Sequence, residues 1–178
     1  MRTFISIDLP KEIKDYLYEI QNKLKSLPAK IKWTSKKTLH LCLFFIGEIN
    51  ENKLQQIKEK LNNIKFKKFE AYLDKIGFFP DENYIRIIWV GLNPKNKIIE
   101  LQQKIDSELL DLIKRDKEFK VHITLGRVKF IKNKQEFKEK AKINIEKKSF
   151  QINEFKLIQS VLTKDGPQYK DLEVYKLK

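Results

Sequence analysis

Along the first residues, "RTFISIDL", apolar and polar positions alternate and β-forming residues dominate, which predicts a strand over residues 2–8. The period then changes. Pro10 suits a first helical turn, and Ile13, Tyr16, Leu17, Ile20, Leu24 and Leu27 recur at threes and fours, predicting a helix that ends before Pro28. "IKWTS" reads as a short strand or extended edge, and "TLHLCLFFIG" as a mostly apolar strand closed by Gly47. Asn50 can cap a second helix with the stripe Leu54, Ile57, Leu61 and Ile64. "FKKFEAYLDKIGFF" and "YIRIIWVGL" predict two strands joined through "PDEN", and Pro94 opens a long helix to about residue 113. "FKVHITLGRVKF" is a further alternating strand. A short helix through "KQEFKEKAK" follows, and then closing strands in "SFQINEFKLIQSVLT" and "LEVYKL", joined across "KDGPQ".

The order repeats in outline. A histidine-bearing strand leads to a helix in each half, so the pattern predicts two similar α/β lobes facing one another. His40 and His122 are the chain's 2 histidines. On an unbroken strand His40 shares a face with Cys42 and Phe44, and His122 with Thr124 and Gly126, since side chains two apart point the same way. Each strand then offers one histidine and one small hydroxyl or thiol above an apolar backing. Arg127 falls on the face opposite His122 under strict alternation, unless a bulge at Gly126 turns it back. Trp33, Phe44 and Phe45 read as core, with stacking on a base as the other use of an aromatic at a cleft mouth.

Composition adds a partner class. The net charge is +14, from 38 basic and 24 acidic residues, which favours nucleic acid or a phosphorylated small molecule. Lysines spread along the whole chain would also follow from a general compositional bias. Only Arg2, Arg86, Arg115 and Arg127 are arginines; in a lysine-rich chain an arginine can mark a need for a fork of donors. Arg2 and Arg127 stand beside predicted strands of interest, whereas Arg86 and Arg115 have no such company. The single cysteine, Cys42, excludes an intrachain disulfide and multi-cysteine zinc patterns. No apolar run reaches the roughly 20 residues of a membrane span, so a cytoplasmic protein is expected, and the polar outer helix faces lead us to expect a monomer.

Two facing histidines can hold one ring neutral as a base and one protonated as an acid, which is what opening a phosphodiester requires. A metal site would want a third ligand, and Asp8, Asp74 and Asp165 lack motif spacing to either histidine. Neither a G-x-S-x-G elbow nor a Gly-rich phosphate loop is present. Two core histidines, each satisfied by one hydrogen bond, would give the same pattern.

The two tetrapeptides "HLCL" at His40 and "HITL" at His122, with "RTFISIDLP", Trp33, "LHLCLFFIGE", "HITLGRVK" and "SVLTKDGPQY" around them, resemble the two-histidine phosphoesterase superfamily, and within it the RNA 2′,3′-cyclic phosphodiesterases, also called 2′-5′ RNA ligase-like proteins. The resemblance spans nearly the whole chain. It implies an α+β bilobal fold, a single unit over residues 1–178, in which two lobes, each an antiparallel sheet with helices outside, enclose a basic cleft. It also implies His40 as proton donor to the departing 3′ oxygen and His122 as proton acceptor from water, with Cys42, Thr124 and Arg127 contacting substrate and neither metal nor cofactor. The implied partner is RNA ending in a 2′,3′-cyclic phosphate, tRNA fragments among the candidates, with 2′-5′ ligation as the approximate reverse. Cys42 departs from the usual threonine or serine, and a thiol is the weaker hydrogen-bond donor. The alternative is a protein that binds RNA ends or nucleotides and has lost efficient catalysis through Cys42.

Overall fold

In the computed structural model, residues 1–115 and 117–178 are described. The elements run β1 (Arg2–Asp8), α1 (Lys11–Leu24), β2 (Ala29–Trp33), a 3-10 turn (Lys36–Thr38), β3 (His40–Glu48), α2 (Glu51–Leu61), β4 (Phe69–Pro80), β5 (Ile85–Asn93), α3 (Lys95–Leu109), β6 (Ile123–Ile131), α4 (Lys134–Lys140), β7 (Ser149–Ile152), β8 (Glu154–Thr163) and β9 (Gly166–Lys176). The predicted strand at "SFQINEFKLIQSVLT" is two strands, because β7 pairs with β4 while β8 pairs with β1 and β9. The last strand starts earlier than its apolar pattern suggests, since β9 follows β8 from the turn at Gly166 onward. Pairing, more than side-chain pattern, sets its length.

All pairings are antiparallel, and the strands form one curled sheet in the order β7-β4-β5-β6-β3-β1-β8-β9, with β2 on β6. The two lobes are halves of this sheet. They meet where β3 and β6 share the single pair Leu41–Ile123, so the sheet is thinnest between the two histidine motifs.

The apolar stripes seat the helices as their spacing requires. Ile13, Leu17, Ile20 and Leu24 of α1, Leu54 and Ile57 of α2, and Ile98, Leu101 and Ile105 of α3 are buried in one core with Leu41 and Leu43 of β3 and Ile123 and Leu125 of β6. Helix starts are fixed locally: the Asn50 side chain accepts from the Lys53 amide at 2.9 Å and that of Asn133 from the Glu136 amide at 3.1 Å. The backs of the motif strands are thereby locked into the core, which leaves their other face to the cleft. Among the described residues no helix is long and apolar enough to cross a membrane.

Candidate active site

The lone Leu41–Ile123 pair dictates the site geometry. Continuing that antiparallel register one step each way sets His40 opposite Thr124 and Cys42 opposite His122, on the face away from the buried Leu41 and Ile123. Motif residues of the two lobes therefore form a four-cornered cluster. It opens into a cavity of about 400 Å³ lined by His40, Cys42, His122, Thr124 and Arg127, and by Lys32, Trp33, Ser35 and Tyr169. The five site candidates read from sequence thus line one cavity.

Each ring is held the same way. His40 Nδ1 lies 2.6 Å from the Thr38 carbonyl oxygen, and His122 Nδ1 lies 2.6 Å from that of Lys120. A carbonyl only accepts, so Nδ1–H donates in both rings and Nε2 is left free for chemistry. Aromatic rings from β1, β9 and β4 brace them. Phe4 and Tyr169 pack on His40 with centroids at 5.1 and 5.5 Å, and Phe79 packs edge-on against His122 at 4.9 Å. Phe79 is backed by Trp89, whose indole covers Gly77 so closely that a Cβ there would lie 2.1 Å from it.

The two lobes also share a distortion. Ser6 pairs with Cys42 but Ile5 with Phe44, so Leu43 is an extra residue on β3. Trp89 pairs with Thr124 but Ile88 with Gly126, so Leu125 is the extra residue on β6. Each is a β-bulge three residues after its histidine. The phase slip corrects the face assignment by strict alternation: Phe44 is buried and Phe45 is 56% exposed, while Arg127 is turned to the cleft side with His122 and Thr124. Phe45 and Arg127 hold equivalent positions, and Arg2 lies over the Phe45 ring at 5.1 Å. Trp33, half-buried, packs against the core and also forms cleft wall.

The Leu125 bulge is anchored from outside the sheet. Gln21 of α1, 1% exposed, donates its Nε2 to the carbonyls of Leu125 at 2.9 Å and Thr34 at 2.8 Å, and the Thr34 amide also donates to Leu125 at 2.9 Å. Gly126 beside it is required because a Cβ would lie 2.7 Å from Ile31 Cγ2 and 3.0 Å from Trp33 Cε3.

Electrostatics set the two rings apart. Burial lowers the pKa of both histidines below 6.5. Around His40 the burial effect is opposed by its bond to Thr38 and by the charge of Asp8, with Lys14 and His122 acting the other way. Around His122 it is opposed by its bond to Lys120, while Arg127 and the Lys120 charge depress it further. The Cys42 thiol is pushed up by burial to about 11, so it is neutral at ordinary pH and is no nucleophile. Asp8 is engaged by Lys14 at 2.8 Å and Lys156 at 3.6 Å, Asp165 lies on the cleft rim, and among the described residues no three His, Cys, Asp or Glu side chains converge as a metal-ligand group.

Sequence reading missed Tyr169, Phe4 and Gln21. Tyr169 stands in the "SVLTKDGPQY" block but on β9, which the β1–β8–β9 pairing carries to the site.

A curled sheet whose two halves each deliver a histidine, a small polar residue and a bulge to one cleft is the architecture of a two-histidine phosphoesterase, and the chain belongs to the LigT like phosphoesterase family, whose model matches residues 7–89 and again 90–169. Among its relatives, the RNA 2′,3′-cyclic phosphodiesterase of Methanocaldococcus jannaschii is 37% identical, covering 96% of this chain and 97% of that protein. That of Thermotoga maritima is 34% identical over 97% and 93%. Among solved structures, TT0787 of Thermus thermophilus superposes with a TM-score of 0.83 at 26% identity, covering 99% and 98% of the two chains. Escherichia coli LigT complexed with ATP does so at 0.77 and 25%, covering 99% and 97%.

Proposed function

We propose that this protein opens a terminal RNA 2′,3′-cyclic phosphate to a 2′-phosphomonoester by general acid–base catalysis without a metal, on a single bilobal unit acting as a monomer. The observation that carries the reading is the pair of imidazoles fixed by the same Nδ1–carbonyl bond, each with Nε2 free. His122 Nε2 takes a proton from water as its oxygen attacks phosphorus. The bond from phosphorus to the 3′ oxygen breaks, and His40 Nε2–H gives its proton to that oxygen. An RNA 5′-hydroxyl in place of the water would give a 2′-5′ link by the same two proton transfers; hydrolysis is the reading adopted.

Thr124 and Arg127 face the same cavity and supply donors to the charge that develops on the phosphoryl oxygens. Removing the Thr124 hydroxyl is expected to cost about 1.5–3 kcal/mol, as for a hydrogen bond to a charged group. Relatives with the stated activity support the substrate, as does the basic charge of the chain.

The test is to incubate the purified protein, with chelator, with an oligoribonucleotide ending in a 2′,3′-cyclic phosphate, and to identify the product end. A 2′-phosphate is expected, and His40→Gln and His122→Gln should each abolish its formation while folding normally. Turnover surviving in the double variant would overturn the assignment. Tight binding of the RNA end without turnover by well-folded wild type would favour the end-binding alternative, for which the buried thiol of Cys42 is the specific observation.

A further inference from the structure

We propose that a groove at the far end of β6 holds the RNA strand just upstream of the reacting terminus, so that the protein is built for an oligonucleotide and not for a cyclic mononucleotide. This rests on the function proposed above. The groove, about 220 Å³, lies between the β4–β5 connection, the end of β6 and α4. Two aromatic rings stand in it largely exposed, Tyr84 at 58% and Phe130 at 51%. The Arg86 guanidinium lies over the Tyr84 ring at 5.5 Å, and Lys129, Lys134 and Lys138 line the same groove against a single carboxylate, Glu82. Lys138 Nζ donates to Asn83 Oδ1 at 3.2 Å, which ties the connection to α4.

Exposed rings interleaved with cations are the makings of a single-strand nucleic-acid platform, where bases stack and phosphates pair with the cations. Strands β2 and β6 run between the groove and the active cleft. Lys32 lines the cleft and pairs with Arg127; Lys30, on the same face of β2, pairs with Phe130. A row of Arg127 and Lys32, then Lys30 and Phe130, therefore leads from the reacting phosphate into the groove over three β6 residues, roughly 10 Å. The reacting group is a 3′ end, so the chain entering the groove is its 5′ side. Arg86, without an explanation in the sequence pattern, is placed on the groove by β5. Stacking is tolerant of base identity, so the contact selects for a strand and not for a sequence.

The experiment compares a nucleoside 2′,3′-cyclic phosphate with an oligoribonucleotide of the same terminal base and end, using wild type, Phe130→Ser and Arg86→Ala. For the oligonucleotide, each variant should raise KM at least fivefold with kcat unchanged. The mononucleotide should be processed equally by all three. Equal losses on both substrates, or no loss on the oligonucleotide, would overturn the proposal. If wild type turns over neither, the reading of the active site fails, and fluorescence anisotropy with a labelled 3′-phosphorylated oligoribonucleotide still decides the groove. At least fivefold weaker binding by both variants is expected there, and unchanged binding refutes it.

Discussion

Gln21 is the cheapest place to ask whether the bulge on β6 matters. Gln21→Met keeps the length and burial of the side chain but removes its amide, and with it the bonds to Thr34 and Leu125. Leu125 retains the Thr34 amide at 2.9 Å, so its loss is one ordinary bond, about 1 kcal/mol. The Thr34 carbonyl loses its bond to Gln21 and meets a thioether instead, about 1–3 kcal/mol. Together the variant should be less stable by about 2–4 kcal/mol, or a fall in Tm of roughly 5–15 °C for a chain of this size. Urea titration at fixed pH reads this directly through the midpoint at unchanged slope. The functional part needs a double-mutant cycle with Arg127→Ala, assayed on the cyclic-phosphate oligonucleotide well below the variant's midpoint. If Gln21 aims Arg127 through the bulge, Gln21→Met lowers kcat/KM in wild type and adds nothing in the Arg127→Ala background. A stability change under about 0.5 kcal/mol would refute the anchor, and full additivity in the cycle would refute the route through Arg127.

Both histidines have pKa values lowered by burial. A bell-shaped kcat/KM profile peaks midway between the two free-enzyme values, so its maximum should lie below pH 6.5; a maximum above about pH 7 would contradict the burial argument. For stability, the unfolded chain binds more protons than the folded one in the window below 6.5, so unfolding free energy should fall as pH drops through 6.5, and in His40→Gln that slope should be smaller. Cys42→Ser replaces a weak donor with a hydroxyl, across from the buried Ser6 hydroxyl that pairs with it in register; kcat/KM should rise about threefold to tenfold, and a decrease would show that the thiol's size matters more than its donor strength. Gly77→Ala must push Trp89 off β4, loosening Phe79 against His122. It should lower kcat at least tenfold with a shifted His122 NMR signal, and an unmoved signal would refute the brace.

The element order was legible because periods of two and of three to four switch cleanly at Pro10, Asn50 and Pro94, each at or beside the start of a helix. The two bulges were not legible to the same degree. In "HLCLFF" both Phe44 and Phe45 are apolar, so the alternation carries no mark of the slip that buries one and exposes the other. In "HITLGR" the glycine is such a mark, and the charge at Arg127 makes the slip visible because burying it would be costly. Gln21 stands at a buried position of the α1 stripe, where a polar residue signals a backbone partner, but nothing local says that the partner is Leu125 on a strand half the chain away. Tyr169 and Phe4 reach His40 through strand order, which alternation along single strands does not encode.

The near-equivalence of the two lobes raises the question of why one ring should give a proton and the other take one. Shared features cannot decide it: both rings have the same carbonyl partner geometry, an aromatic brace and a following bulge. The charges differ. Asp8 pairs with His40 across β1 and β3, and its own pKa, pulled up by burial, is held below 3.8 by the bond and charge of Lys14, by the Leu9 amide and by Lys156. It is therefore ionised throughout the working range and favours the imidazolium of His40, whereas Arg127 and Lys120 disfavour that of His122. The proposed roles, acid in the first lobe and base in the second, follow the direction of these neighbouring charges. Asp8→Asn should lower the pKa of His40, because the carboxylate that raises it is gone while Lys14 and His122 still lower it, and leave that of His122 nearly fixed. Imidazole NMR titration reads both rings at once, and kcat/KM at neutral pH should fall by the factor by which the protonated fraction of His40 falls. Equal shifts in the two rings, or a His40 that does not move, would mean that the neighbouring charges do not set the roles and that strand geometry alone must.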